Sequence, residues 1–416
     1  MKQGIVLKNF QFIDVINKKL VPNASLIIEG DRIKDVFSDT PTDEHAGMVI
    51  DCKGQTLLPG LIDAHIHAEI VDENFDAQQR SNFPSMLAIK GAKVLEETLE
   101  QGFTTARDAG GADPGFREAI KQGLIKGPRL FVSGASLSQT GGAADCRLPT
   151  DLYDQPKYYT GYVTRVCDGI DALRHEAREQ LRQGVDQIKI FASGGASTPD
   201  DDVASLESSQ YSLEEIETVV FEAESAGKYV MAHCYSNRGA RMCAKAGVRS
   251  IEHGTLLNRE SAKMLRDANV YLVPTIVTYE TLSLKGKEMG ISDAFLKKVD
   301  YIKNISLEAL DIANQEGVQI GSGSDLCSGL QGYKGMELEL QSRVMGPMDA
   351  IVAATLTNAR ILRQEKSLGT IEKGKYADMI LVNGNPLEDI SLVQNYQEKI
   401  TLIMKGGEIF KNTVEV

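Results

Sequence analysis

His65 and His67 stand one residue apart at the end of the apolar run Thr56-Leu-Leu-Pro-Gly-Leu-Ile-Asp-Ala-His65-Ile-His67. In a strand, successive side chains alternate between faces, so residues i and i+2 point the same way. Two imidazoles then converge on one point, which is half of a metal site. Four more positions extend the pattern. Lys189 lies in Gln187-Ile-Lys-Ile-Phe191, and His233 closes Tyr229-Val-Met-Ala-His233. His253 closes Ser250-Ile-Glu-His253, and Asp325 closes Gln319-Ile-Gly-Ser-Gly-Ser-Asp325. Taken singly, each has an ordinary reading. A lone histidine serves as a hydrogen-bonded core residue, Lys189 as an ion-pair partner or a Schiff-base nucleophile, and Asp325 as a cap. Taken jointly, four of the six histidines end apolar runs in company with a lysine and an aspartate, and the set reads as metal chemistry. His45 and His175 fall in a turn and a helical segment and read as structural or solvent-facing.

These residues need elements to hold them. Runs at 104–108, 129–133, 187–191, 229–233, 250–253, 271–275 and 319–325 read as strands, and the run carrying His65 makes eight. Between most of them lie amphipathic helical patterns such as 86–95 and 216–224. Alternation of this kind predicts an α/β fold, a (β/α)8 TIM barrel over residues 54–362, whose catalytic groups belong at the C-terminal strand ends. An open doubly wound sheet would carry a phosphate-binding glycine fingerprint after its first strand, and none is present. Both ends of the chain have a strand-turn-strand texture, which predicts a small β-sandwich domain built from residues 1–53 and 363–416. Two long loops, 136–169 and 193–210, follow barrel strands, where active-site loops belong.

Composition excludes several classes. A net charge of −13 over 416 residues argues against a nucleic-acid binder. Much of the acidity sits in helical stretches such as 95–100 and 212–217, read as solvated faces. Six scattered cysteines without a CxxC pair read as reduced thiols. No stretch reaches the length of a membrane span, and the N-terminus has no continuous apolar segment, so the expectation is a soluble cytoplasmic protein.

The ordered set resembles that of the amidohydrolase superfamily: His-x-His after strand one, Lys in strand four, His after strands five and six, and Asp after strand eight. Gly110-Gly111, Val132-Ser-Gly134, Leu137-Ser-Gln-Thr-Gly-Gly142, Asp186-Gln-Ile-Lys-Ile190, Ala192-Ser-Gly-Gly195 and Ile251-Glu-His-Gly254 resemble its prolidase-like branch more closely. That branch includes Xaa-Pro and Xaa-Arg/Lys dipeptidases and relatives of imidazolonepropionase. The resemblance implies two divalent metal ions bridged by an N6-carboxylated Lys189. His65, His67 and Asp325 suit one ion and His233 and His253 the other. Oxygen and nitrogen donors without thiolate suit zinc first and manganese next. Asp325 would act as general base and then acid. Tyr235 would contact a substrate α-carboxylate, with Arg238 adding a charge-assisted contact. The dipeptidase branch commonly has a His directly after Gly-Gly, where this chain has Ala143; Tyr159 or Arg147 would then supply the missing contact. The expected activity is cleavage of dipeptides (Xaa-Pro or Xaa-Arg/Lys) or N-acyl amino acids. The alternatives are a cyclic amidohydrolase of the imidazolonepropionase type and a non-enzymatic scaffold with the same fold. The resemblance also implies a homo-oligomer, with a small-molecule substrate and no nucleic-acid or membrane partner.

Overall fold

The structure is a computed structural model that describes residues 4–38, 46–72, 78, 81–147, 150, 163–196 and 203–414. The N-terminal strands are β1 (Gly4–Asp14), β2 (Lys19–Glu29), β3 (Arg32–Phe37), β4 (Ala46–Asp51) and β5 (Thr56–Pro59). β1 pairs with β2 along one edge, and with β4 and then β5 along the other. The run 56–67, read from sequence as one strand, is therefore two. β5 joins the terminal sheet, and β6 (Leu61–Ile66) begins after Gly60. A Cβ on Gly60 would lie 2.1 Å from Thr104 Oγ1, so this crossing tolerates no side chain.

β6 leads a parallel sheet with β7 (Phe103–Asp108) and β8 (Arg129–Phe131). A second parallel sheet contains β9 (Ser136–Ser138), β10 (Thr164–Val166), β11 (Ile188–Phe191), β12 (Val230–Cys234), β13 (Ser250–His253) and β14 (Tyr271–Val273), in the order β10-β9-β11-β12-β13-β14. Helices follow the strands: α1 (Pro84–Glu100), α2 (Pro114–Lys121), α3 (Gly169–Gln183), α4 (Leu213–Ser225), α5 (Asn237–Ala246), α6 (Arg259–Asp267), α7 (Ile276–Lys285) and α8 (Asp293–Gln315). The two expected helices, 86–95 and 216–224, lie inside α1 and α4. Ser212 and Glu215 close a reciprocal capping box at the start of α4.

The parallel strands do not form one continuous ladder. On one side, the Asp186 amide donates to the Val132 carbonyl at 2.8 Å. On the other, segment 319–325 lies between β14 and β6. There Leu272 N–H donates to Gln319 O, Gly321 N–H to Leu272 O, and Ala64 N–H to Ser322 O, at 2.8–3.0 Å. The expected eighth strand is thus an irregular segment with a single bridge, Leu272 to Ile320. The sequence Gly321-Ser-Gly-Ser-Asp325 explains the irregularity. A Cβ on Gly323 would sit 2.6 Å from His65 Cβ and 2.7 Å from Val273 Cγ1, so the backbone is pressed between its neighbours. The Asn358 amide replaces missing ladder bonds, accepting from Ser322 N–H and donating to Ile62 O and Ser322 O.

At the C-terminus, β15 (Met379–Val382), β16 (Ile400–Lys405) and β17 (Glu408–Asn412) return to the terminal sheet, where β15 pairs with β5. The two layers of the expected sandwich are halves of one eight-stranded sheet, ordered β17-β16-β15-β5-β1-β2-β3 with β4 on β1. Register shifts around Asn9 bend β1, and Asn9 itself has φ +59°. The halves enclose a shared core that includes Leu7, Phe10, Leu26, Ile28, Met379 and Leu402. The sheet also curls back on itself, since Ile33 N–H donates to Lys375 O and Ala377 N–H to Asp31 O. No helix among the described residues is long and apolar enough to cross a membrane.

The closeness of Gly323 to His65 gives a test. Gly323→Ala is expected to destabilise the fold by about 1–3 kcal/mol through overpacking, read as a lower denaturation midpoint at unchanged slope.

Candidate metal-binding active site

The strand ends of the parallel sheets converge on a cavity of about 630 Å³. His65, His67, Lys189, His233, Tyr235, His253 and Asp325 all line it, so seven of the eight residues singled out from sequence meet in one place. Arg238 does not. It is exposed on the first turn of α5 and is not part of the cavity lining.

Each histidine is held by one ring nitrogen. His65 Nδ1 lies 2.8 Å from Glu252 Oε2, and His67 Nδ1 lies 2.8 Å from the Gly110 carbonyl. With Nδ1–H donating, both Nε2 atoms present lone pairs, at 3.4 and 3.3 Å from the same Asp325 oxygen. Donors about 2.0–2.1 Å from a tetrahedral ion stand about 3.3–3.4 Å apart. The side chains present therefore fit a divalent metal. His253 belongs to the same group, because donor atoms of His65, His253 and Asp325 all lie within 4.8 Å of one another. His253 Nδ1 meets the Thr275 hydroxyl at 2.7 Å, and its ring lies 4.6 Å from that of His233. His233 stacks between Phe191 and Tyr235, with Nε2 3.2 Å from Gly194 O. A Cβ at Gly195 would come within 2.5 Å of that nitrogen.

Two of these residues have strained backbones. His253 has φ +74° and Asp325 φ +51°, a region that non-glycine residues seldom adopt and that clusters at functional sites. Asp325 is placed by its neighbours: its amide donates to His65 O, while Ser324 donates through N–H and hydroxyl to buried Asp63. Buried Lys334 Nζ lies 3.6 Å from Asp63 and donates to the Ser324 hydroxyl. Gly110 is placed by Asp108, whose carboxylate accepts from the Ala68, Gly110 and Ala112 amides. Gly110 has φ +145°, which glycine alone adopts readily, and the expected Gly110-Gly111 motif thus serves to aim a carbonyl at His67.

Electrostatics favour lone pairs over protons on three of the four imidazoles. Burial and Lys189 hold His65 well below the usual imidazole value and bring His233 down to about 3. Burial and the neighbouring imidazoles also hold His253 well below it. In His67 burial is outweighed by the Asp325 contact, and its value rises. Burial alone would raise Asp325, but His65, His67 and Lys189 pull it below the ordinary carboxylate value. Burial lowers the Lys189 ammonium to about 8 against the pull of Glu252 and Asp325.

Three important residues escaped the sequence reading. Arg107, fully buried, donates from Nε to Ala64 O at 2.7 Å, from one terminal nitrogen to Ser250 Oγ at 3.0 Å, and from the other to both Glu252 oxygens at 2.9 and 3.1 Å. Glu252 also accepts from Ser250 Oγ at 2.6 Å. Tyr279 on α7 shares a 2.5 Å hydroxyl contact with Tyr235 and approaches His253 Nδ1 at 3.3 Å. The signal for the first two was present, since a charge inside an apolar strand has to be paired. For Tyr279 there was none, because its helix meets the site only in three dimensions. Ala143 lines the cavity as the sequence implied. Arg147 is clamped by Asp145 through contacts of 2.7 and 2.6 Å, and Tyr159 lies outside the described residues.

Removing Arg107 would leave Glu252 as an uncompensated buried charge. Arg107→Met is expected to cost about 3–5 kcal/mol, and the Arg107→Met/Glu252→Gln double variant to recover part of that loss in chemical denaturation.

Comparison with known proteins places these residues in context. A sequence profile described as the amidohydrolase family matches residues 56–409. An ochratoxinase from Aspergillus niger is 30% identical over 404 residues, covering 94% of this chain and 83% of its own. A prolidase solved in complex with N-methylphosphonate-L-proline superposes with a TM-score of 0.94 at 36% identity, over 99% of this chain and 100% of its own. A Xaa-Pro dipeptidase solved with methionine in its active site gives 0.86 at 30% identity, over 98% and 100%.

Proposed function

The chain belongs to the amidohydrolase family, and we propose that it is a binuclear metal-dependent hydrolase of dipeptides or N-acyl amino acids. The observation that carries this reading is the pair of 3.3–3.4 Å spacings between Asp325 and the Nε2 atoms of His65 and His67 in the cavity lining. The ochratoxinase, prolidase and dipeptidase relatives support amide hydrolysis as the reaction class.

In this reading His65, His67 and Asp325 would hold one divalent ion, and His233 and His253 a second, with zinc the preferred metal. When bound, the two ions would polarise the amide carbonyl and make a water molecule acidic enough to attack near neutral pH. Lys189 would have to contribute an anion to such a centre, which an ammonium cannot be. Its depressed value, about 8, leaves a usable share of neutral amine near neutral pH. That amine would add to CO₂, losing a proton, and the resulting carbamate would be the anionic ligand that Lys189 contributes. Asp325, ionised at neutral pH, accepts the proton of the attacking water and delivers it to the leaving nitrogen as the C–N bond breaks. Without that proton the amine would depart as an anion, a poor leaving group. Tyr235 faces the same space and contacts the substrate carboxylate. The six cysteines are all free, which fits a cytoplasmic enzyme.

Asp325→Asn is expected to fold, by circular dichroism, with turnover reduced by at least about a hundredfold, the lower range for loss of a general acid–base group. A purified, metal-loaded Asp325→Asn protein with full activity would refute the role. Bound-metal analysis in bicarbonate should give two ions per chain, with loss of metal in Lys189→Ala. A screen of dipeptides and N-acyl amino acids decides the substrate class. Uniform inactivity there, with cleavage of a lactam or imidazolone, would overturn the reading.

A further inference from the structure

Two phenols line the cavity, Tyr235 just past the end of β12 and Tyr279 on α7. Each is only 3% exposed, and their rings meet edge-on at 88°. Tyr235 is clamped by its neighbours. Its ring stacks on His233 at 4.8 Å and meets His253 at 5.1 Å, while its amide donates to Ser193 Oγ at 2.7 Å. What remains adjustable is the direction of its hydroxyl proton. The 2.5 Å contact between the two hydroxyls uses one of their two protons. With Tyr235 as donor, it would turn only lone pairs toward a bound anion and repel it. With Tyr279 as donor, Tyr235 keeps its proton for the cavity. The surroundings favour the second order. The Tyr279 oxygen lies 3.3 Å from His253 Nδ1, and the hydroxyls of Thr275 and Thr255 also reach it. With His253 Nδ1–H donating to Thr275 Oγ1 at 2.7 Å, the Thr275 proton is directed on to the Tyr279 oxygen, whose own proton is left for Tyr235.

Resting on the reading of Tyr235 as the contact to the substrate carboxylate, we propose that Tyr279 is the positioning residue behind that contact. Its O–H donates to the Tyr235 oxygen, and Tyr235 thereby presents its own proton to a free carboxylate on the substrate. Hydrogen bonds in a chain polarise one another, so a phenol that accepts from Tyr279 is a stronger donor to the anion. The favoured substrates are thus conjugates that end in a free acid, rather than their neutral C-terminal amides.

The test is a set of N-acetyl and glycyl conjugates of alanine, leucine and proline, each as free acid and as C-terminal amide. For the wild type, kcat/KM is expected to fall about ten- to a hundredfold when the carboxylate becomes an amide. Tyr279→Phe should narrow that acid-to-amide ratio about three- to tenfold, through KM on the acids. Tyr235→Phe should remove most of the ratio, and the Tyr235→Phe/Tyr279→Phe double variant should narrow it no further. Additive losses in the double variant would show Tyr279 acting apart from Tyr235 and overturn the positioning role. So would an unchanged ratio in Tyr279→Phe, or a fall in kcat on acids and amides alike, which would place its effect on His253. A ratio unmoved by Tyr235→Phe would remove the Tyr235 contact and the proposal with it, while the dipeptidase reading stood. Inactivity of the wild type on every conjugate, with turnover of a lactam, would remove that reading as well.

Discussion

A buried carboxylate, that of Glu252, holds the architecture around the site together. It lies wholly out of solvent and accepts from Arg107, Ser250 and His65. Taking such a charge out of water costs several kcal/mol, which is recovered only with a well-placed cation and full hydrogen bonding. Arg107 meets the first need and, through Ala64 O, ties β7 to β6. Ser250 and Glu252 bring in β13. Three strands are thereby locked in register around one anion, and the anion sets which nitrogen of His65 carries the proton.

The same economy governs the irregular parts of the ring. A perfect parallel ladder leaves no backbone freedom with which to aim side chains. Here the ladder is interrupted where the chemistry lies. Segment 319–325 gives up strand geometry so that Asp325, at φ +51°, can turn toward His65 and His67. Asn358 and Asp63 replace the hydrogen bonds that regular pairing would have made. Strain of about 1–3 kcal/mol per residue held in such a conformation is sustainable because these neighbours leave the backbone no alternative.

Electrostatic preparation follows from burial rather than from any special residue. Desolvation pushes three imidazoles toward their neutral forms and Lys189 toward a neutral amine, while Asp325 remains ionised because His65, His67 and Lys189 surround it. Metal ligation needs this distribution of charge, with imidazole and carboxylate lone pairs available together.

His65, His67, Lys189, His233, His253 and Asp325 were legible in the chain, because each ends or interrupts an apolar run where a polar group demands a reason. The α/β alternation and the pairing of the two termini were legible too, since hydrophobic periodicity is a local property. The irregular eighth segment and the split of the run 56–67 were not. Both depend on how closely Gly323 and Gly60 approach residues distant in sequence. Arg238 follows Tyr235 by three residues, yet it points to solvent because the helix begins between them and turns it away. Tyr279 lines the cavity only because α7 packs beside it. Local pattern thus picked out the groups that meet in the cavity and the strands that carry most of them. Tertiary packing alone decided what surrounds them, because contacts between distant segments leave no periodic trace in the sequence.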